Sequence, residues 1–336
     1  LTTGSYNTAF GRNALGAEIT GSRNTAIGYE CMRDYILDDE GQNVAVGMYA
    51  MTNYDTGQYN VAIGYAALTG PGGGASGANN TAVGRAALTV NTASNNTAIG
   101  YESMIANTTG DYNTAVGLDS LKTNIGGAQN TAVGRAALKL STSGAYNVAV
   151  GDTALAANQT ADYNTAVGTS ALTANTTGAS NVAVGYAAGD AMLTGSDNIA
   201  IGHDALGAST DVDKCVAIGR GTMSQSNAAG AGNCDLTVAV GFFALANLIG
   251  GSDSGEFNTA VGSYAADALT TGSGNTALGY NALTAANGGE SHNTCLGYAA
   301  GHTIDDGNNN TCIGSVARTS TASGDNQIVI GFNFAG

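Results

Sequence analysis

A five-residue motif recurs along the whole chain. Asn-Thr-Ala-Val-Gly and its close variants occur nineteen times, from Asn7–Gly11 to Gln327–Gly331. Twelve of the eighteen intervals between successive closing glycines are 17 residues long, and the others run from 16 to 22. A short period that covers an entire chain is typical of a solenoid, in which each repeat forms one coil stacked on its neighbours. The repeat therefore predicts a rod-shaped stack of coils rather than a fold built around a pocket.

The chemistry inside each repeat indicates β-structure. The second and fourth motif positions carry mostly β-branched residues, such as Val44 and Val46, and residues two apart point to one face of a strand. The closing glycine marks the bend that ends the strand. Leu or Met follows four residues later in fourteen coils, before a Gly-containing turn. We predict an all-β parallel β-solenoid of about 19 coils, a flattened β-roll with two short strands per coil.

The two faces of the predicted strand differ in chemistry, which suggests a role for each. We expect the branched residues to form a buried core ladder, represented by Val46, Ile63, Val83, Val116 and Val150. Asn opens the motif in sixteen coils, and we expect these side chains to hydrogen-bond up and down the stack. The third position is Ala in sixteen coils. A small, uncharged face suits close approach of another sheet, either across the narrow roll or across an interface between chains. We favour the interface, at Ala45, Ala62, Ala82, Ala115 and Ala149.

The repeat runs without a break, so we expect one continuous domain over residues 1–336. Its irregular intervals predict loop insertions near 33–41, 69–78, 221–236 and 246–256. Loops vary freely on a rigid scaffold, which makes these insertions the first place to look for recognition. Tyrosines that follow the coil glycine offer a second possible surface for sugars, although covering the edge of the roll explains them as well.

Composition excludes several partners. The chain has 10 Lys+Arg against 25 Asp+Glu, a formal charge of −15, so we expect no binding to nucleic acid or to an anionic membrane surface. No apolar run approaches the roughly 20 residues that span a bilayer. The three histidines match no metal or triad spacing, so we predict neither enzymatic activity nor a cofactor. Calcium in the acidic loops at 38–40 and 305–306 is an open alternative.

The five cysteines have several possible states. Cys215 and Cys234 flank the longest insertion, and a disulfide between them would close that loop. Cys295 and Cys312 replace Ala in adjacent coils, where we expect buried free thiols because a bridge between in-register parallel neighbours is strained. Cys31 has no evident partner.

Segments of the repeat resemble a known family. Residues 96–117 read Asn-Thr-Ala-Ile-Gly-Tyr-Glu-Ser-Met-Ile-Ala-Asn-Thr-Thr-Gly-Asp-Tyr-Asn-Thr-Ala-Val-Gly, which is similar to the head repeats of trimeric autotransporter adhesins and to β-roll repeats of bacteriophage tail fibres. The resemblance implies a left-handed parallel β-roll, a trimer, and attachment to a host surface through a glycan or protein receptor. It also implies an extracellular, cell-surface or virion location. The repeats here are longer than the usual adhesin repeat.

Three functions follow as hypotheses. The first is a non-enzymatic fibre or adhesin segment. The second is a subunit of an extracellular filament that stacks head to tail, because joining Gly331 of one copy to Gly11 of the next leaves an interval of 16 residues, which also occurs inside the chain. That junction would involve Leu1, Phe332 and Phe334. The third and weaker hypothesis is a surface- or ice-binding solenoid, which needs a flat array of threonines.

Overall fold

The computed structural model describes residues 4–17, 20–36, 41–225, 234–249 and 255–333. The chain forms two compact units, residues 1–163 and 164–336. Both units are stacks of parallel three-residue strands, one strand in each coil, and no helix occurs within the described ranges. The predicted all-β parallel β-solenoid is therefore confirmed. The expectation of a single continuous domain stays a prediction.

The described residues of the first unit form nine strands, and each pairs in parallel with the next in sequence. The register places equivalent motif positions opposite each other, so Ala115 faces Ala132. The strands are β1 (Thr8–Phe10), β2 (Thr25–Ile27), β3 (Val44–Val46), β4 (Val61–Ile63), β5 (Thr81–Val83), β6 (Thr97–Ile99), β7 (Thr114–Val116), β8 (Thr131–Val133) and β9 (Val148–Val150).

Where the structure describes the second unit, it forms ten strands with the same sequential parallel pairing. Insertions between strands do not disturb this register, because Ala217 still faces Ala239 across the longest interval. The strands are β10 (Thr165–Val167), β11 (Val182–Val184), β12 (Ile199–Ile201), β13 (Val216–Ile218), β14 (Val238–Val240), β15 (Thr259–Val261), β16 (Thr276–Leu278), β17 (Thr294–Leu296), β18 (Thr311–Ile313) and β19 (Ile328–Ile330).

The prediction of a second strand in each coil was wrong. The segment after the motif glycine is instead a turn region in which left-handed residues recur at every second position, such as Asp119 (φ 57°) and Leu121 (φ 48°). Its backbone still bonds to neighbouring coils, since the N–H of Leu121 donates to the carbonyl of Ala137 at 3.0 Å. Hydrogen bonds between coils therefore continue around the corner without β geometry.

Burial reverses the predicted roles of the two strand faces. Ala45, Ala62, Ala82, Ala115 and Ala149, the predicted interface residues, are all fully buried inside the roll. The predicted core ladder lies on the outer side: Ile63 is 41% exposed, and Val46, Val83, Val116 and Val150 are each partly exposed. Both assignments were wrong.

The reason for this reversal is the volume of the Leu and Met side chains that follow the glycine. Leu121 and Leu138 are fully buried, as are Met32, Met51 and Met104. These long side chains fill the roll from the turn side, which leaves room only for Ala on the strand side. Ser120 illustrates how narrow the roll is, because its Oγ donates to the carbonyl of Ala132 at 3.0 Å. A second layer of Val and Ile would overfill this interior.

The predicted asparagine ladder is confirmed, with a specific bonding pattern. Asn113 Oδ1 accepts the backbone N–H of Asn130 in the next coil at 2.9 Å, and Asn113 Nδ2 donates to the carbonyl of Gly127 at 2.8 Å. The side chain thus joins the strand of one coil to the turn that precedes the next strand. Because these asparagines are buried, each unmade bond would leave a polar group without a partner.

Candidate functional site: an exposed apolar strand face

The strands of both units expose a regular apolar surface, which we name the outer strand face. It consists of the first and third residues of every strand. The middle residue between them is Ala in sixteen strands, and it is buried in every strand except β1. Ile63 and Ile99 are 41% and 39% exposed, whereas Ala62 and Ala98 between the branched residues are fully buried. The third residue of every strand is Val, Ile, Leu or Phe. The first residue is Thr in eleven strands and Val or Ile in the other eight.

The geometry of this face follows from the parallel register. Equivalent residues of adjacent coils lie side by side, so Thr97 is opposite Thr114 and Ile99 is opposite Val116. Paired strands are about 4.8 Å apart. Within each unit the side chains therefore form two columns, one of Thr, Val and Ile and one that is entirely apolar. No strand residue carries a charge, although the chain has a formal charge of −15.

Aromatic residues flank the outer strand face along the chain. Tyr59 and Tyr65 lie on either side of β4 and are 50% and 45% exposed. Tyr146 and Tyr163, which precede successive motifs, stack with ring centroids 5.0 Å apart and an interplanar angle of 13°. Such stacking directs a face of each ring toward a neighbouring ring, which leaves less of it for a sugar. The rings extend the apolar surface at its margins.

Charged side chains are concentrated at the corner after the motif glycine. In the first unit, Lys122 Nζ lies 2.9 Å from Glu102 Oε2 and 3.0 Å from Asp119 Oδ1. The bond to Lys122 lowers the pKa of Glu102, and the bond to Glu102 raises the pKa of Lys122. Lys139 reaches Asp119 from the next coil, with 3.3 Å between Nζ and Oδ2. Lysines therefore neutralise this corner within the first unit.

All five cysteines are buried, and none of them forms a disulfide. The predicted disulfide between Cys215 and Cys234 is not formed. Cys215 occupies the motif position that is usually Asn, and its Sγ donates to the carbonyl of Cys234 at 3.0 Å, the bond that the asparagine amide makes in other coils. Burial raises the pKa of the Cys215 thiol to about 12. Cys295 and Cys312 face each other in β17 and β18 as buried free thiols, as expected.

Other predicted sites lie partly outside the described residues. The acidic loop 38–40 is not described, nor are Leu1 and Phe334 of the predicted end junction. Phe332 is described and is 79% exposed. Asp305 Oδ1 accepts a hydrogen bond from Asn287 Nδ2 at 2.6 Å. Across the ranges that the structure describes, no group of three or more His, Cys, Asp or Glu side chains is placed to hold a metal ion.

The predicted insertions are described to different extents. Residues 69–78 are described in full, and Asp55 Oδ2 holds this loop by accepting the backbone N–H of Gly74 at 2.6 Å. Parts of 33–41, 221–236 and 246–256 lie outside the described residues. None of the segments that the structure describes forms a helix long and apolar enough to cross a membrane.

Comparison with known proteins found no matching protein-family model and no matching curated protein.

Proposed function

We propose that this chain is a non-enzymatic structural segment of an extracellular or virion-surface fibre, and that copies associate in parallel through the outer strand face. The observation that carries the proposal is the column of partly exposed Val, Ile and Leu side chains in each unit. Soluble monomers rarely expose apolar patches larger than a few hundred Å², and larger patches mark interfaces. A trimer is the assembly that the resemblance to adhesin and tail-fibre repeats implies.

The composition of the face supports this choice of occupant. The core of a protein interface is depleted in charge and enriched in aromatic residues, and the strand residues are uncharged with tyrosines at their margins. A second copy offers the same columns at the same spacing, so side chains of parallel copies repeat in step along the contact. We therefore place the proposed interface on the outer strand face, which is the side of the strands opposite the buried alanines.

Sedimentation velocity of the purified chain tests the proposal. We expect a defined oligomer at micromolar concentration, and dissociation when Ile63 and Ile99 are both replaced by Lys. Leu140→Lys is a matched control, because Leu140 is 45% exposed and lies in the turn segment. That variant should keep the oligomer. A wild-type chain that sediments as a monomer at this concentration would rule out the interface.

An ice-binding or flat-surface-binding solenoid is the second candidate. It is favoured by the threonines at the first position of eleven strands, which lie on the outer side in register. The apolar second column makes protein association the better explanation. Thermal hysteresis of a monomeric preparation distinguishes the two, because a surface binder should depress the freezing point and lose that activity in Thr97→Lys. The host receptor, whether glycan or protein, stays a prediction of the resemblance.

A further inference from the structure

The second unit contains a cleft of about 330 Å³ beside the corner that follows the motif glycine. Its lining includes Asp190, Asp204, Arg220 and Phe243. Two small residues, Gly207 and Ser224, also line the cleft. The cleft is separate from the outer strand face and has no role in the proposed association.

The repeat allows this corner to be compared position by position with the first unit. Asp119 is the second residue after the motif glycine Gly117, and Lys122 is the fifth. Lys139 is the fifth residue after the next motif glycine. Both lysine ammonium groups lie against the Asp119 carboxylate, at 3.0 Å and 3.3 Å. The first unit therefore provides two internal cations for this carboxylate.

In the second unit an aspartate stands at the position equivalent to Asp119, but neither lysine has a counterpart. Asp204 is the second residue after Gly202 and thus corresponds to Asp119. The positions that correspond to Lys122 and Lys139 are Gly207 and Ser224, and both line the cleft. The cleft consequently occupies the space that two lysine side chains fill in the first unit.

Two acidic residues that line the cleft, Asp190 and Asp204, bring negative charge to it. Asp190 adds a second carboxylate, and its pKa is raised by burial and then by the negative charge of Asp204. Asp204 Oδ2 lies 2.8 Å from His203 Nδ1. Arg220 is directed to the ring of Phe242, 6.0 Å from its centroid, and among the described residues it makes no ion pair with either carboxylate. Two nearby carboxylates favour a cation between them.

The apolar wall is held in place by packing. Phe243 lies against Gly221, where an added Cβ would come within 2.4 Å of Phe243 Cε1. Gly221 also has a left-handed φ of 64°. The ring therefore packs closely on Gly221 at the edge of the cleft, where it can cover the methylene groups of an alkyl chain.

We propose that this cleft binds a primary alkylammonium group, which places its nitrogen between Asp204 and Asp190 and its methylenes against Phe243. Such a group belongs either to a lysine side chain of another protein or to a free diamine or polyamine. In both cases the ligand supplies the ammonium group that is missing at positions 207 and 224. The inference does not depend on the proposed association.

Isothermal titration calorimetry of the purified chain with 1,5-diaminopentane tests the proposal, with 1-pentanol as the neutral control. We expect the amine to bind and the alcohol not to bind. Asp204→Asn should weaken amine binding by about fivefold or more. Asp211→Asn removes the same charge from an exposed position outside the cleft lining and should leave binding unchanged.

Gly207→Lys supplies the missing ammonium from within the chain and should abolish amine binding. Circular dichroism establishes whether Gly207→Lys folds. If it does not fold, amine binding to Asp204→Asn tests the proposal instead. Nα-acetyl-lysine amide distinguishes the sources, because tighter binding than the diamine indicates a protein lysine and weaker binding indicates a free amine. Equal binding of amine and alcohol, unchanged binding in Asp204→Asn, or binding of calcium chloride alone would each overturn the proposal.

Discussion

Asn113 Oδ1 accepts the backbone N–H of Asn130 at 2.9 Å, and this contact between adjacent coils recurs along both units. Asn113 performs two tasks, because its amide also donates to the carbonyl of Gly127 at 2.8 Å. Its side chain is fully buried, so water cannot replace a bond that is lost.

We expect Asn113→Ala to destabilise the first unit by about 1–3 kcal/mol, since it leaves the buried N–H of Asn130 without its acceptor. The carbonyl of Gly127 loses one of its two amide donors and keeps the other, Asn124 Nδ2. Urea denaturation followed by circular dichroism measures the loss of stability. Gln159→Ala, at an exposed position, is the control and should change stability by less than about 0.5 kcal/mol. Equal effects of the two substitutions would contradict the structural role of the ladder.

The motif glycine is required by close packing between coils. An added Cβ on Gly134 would lie 2.3 Å from the carbonyl oxygen of Gly151, and Gly134 has a φ of 139°. We expect Gly134→Ala to cost about 3 kcal/mol or more, or to prevent folding. At Gly126 an added Cβ would meet only Thr109 Oγ1, at 3.3 Å. Gly126→Ala should therefore shift the denaturation midpoint only slightly, and a comparable loss there would refute the steric explanation.

Replacing a β-branched residue that has a left-handed backbone conformation should stabilise the chain. Val316 has a φ of 58°, and Asn13 and Asn281 occupy the equivalent position in other coils. Asn adopts this conformation at lower cost than a β-branched residue. We expect Val316→Asn to stabilise the second unit by about 0.5–1 kcal/mol in thermal denaturation. Val261→Asn, in strand β15, should have the opposite sign, and stabilisation by both would contradict the argument.

Glu290 makes a pH-dependent contribution to the stability of the folded chain. Its side chain is buried, and burial raises its pKa above the ordinary value. The folded chain therefore holds this proton to a higher pH than the unfolded chain, and its contribution to stability decreases as pH rises through the interval between the two pKa values. We expect Glu290→Gln to be more stable than wild type at pH 7.

The same comparison at low pH provides the check. Below about pH 4, where the carboxyl is protonated in both states, the wild type and Glu290→Gln should unfold alike. Thermal denaturation across this range measures the difference. A difference in stability between the two proteins that stays constant with pH would show that it arises from packing rather than from ionisation.

The periodic sequence determined much of this fold by itself. The spacing of the motif glycines located all nineteen strands, because each strand must end where a residue can adopt the bend. The regular Asn, Ala and Val positions determined that the strands stack in parallel with equivalent residues in register. The alternation of Ala and Val also established that each strand has two chemically different faces.

Only the tertiary structure decided which face is inside. Alternation places Ala115 and Val116 on opposite sides of β7, but it does not say which side is buried. That choice depends on the volume left by Leu121 and its equivalents, which fill the roll from a turn segment of the same coil. The tertiary structure also brought Asp204 next to Gly207 and Ser224, because the empty space of the cleft arises from side chains missing in separate coils. Sequence spacing describes which residues recur, whereas packing volume decides what they contact.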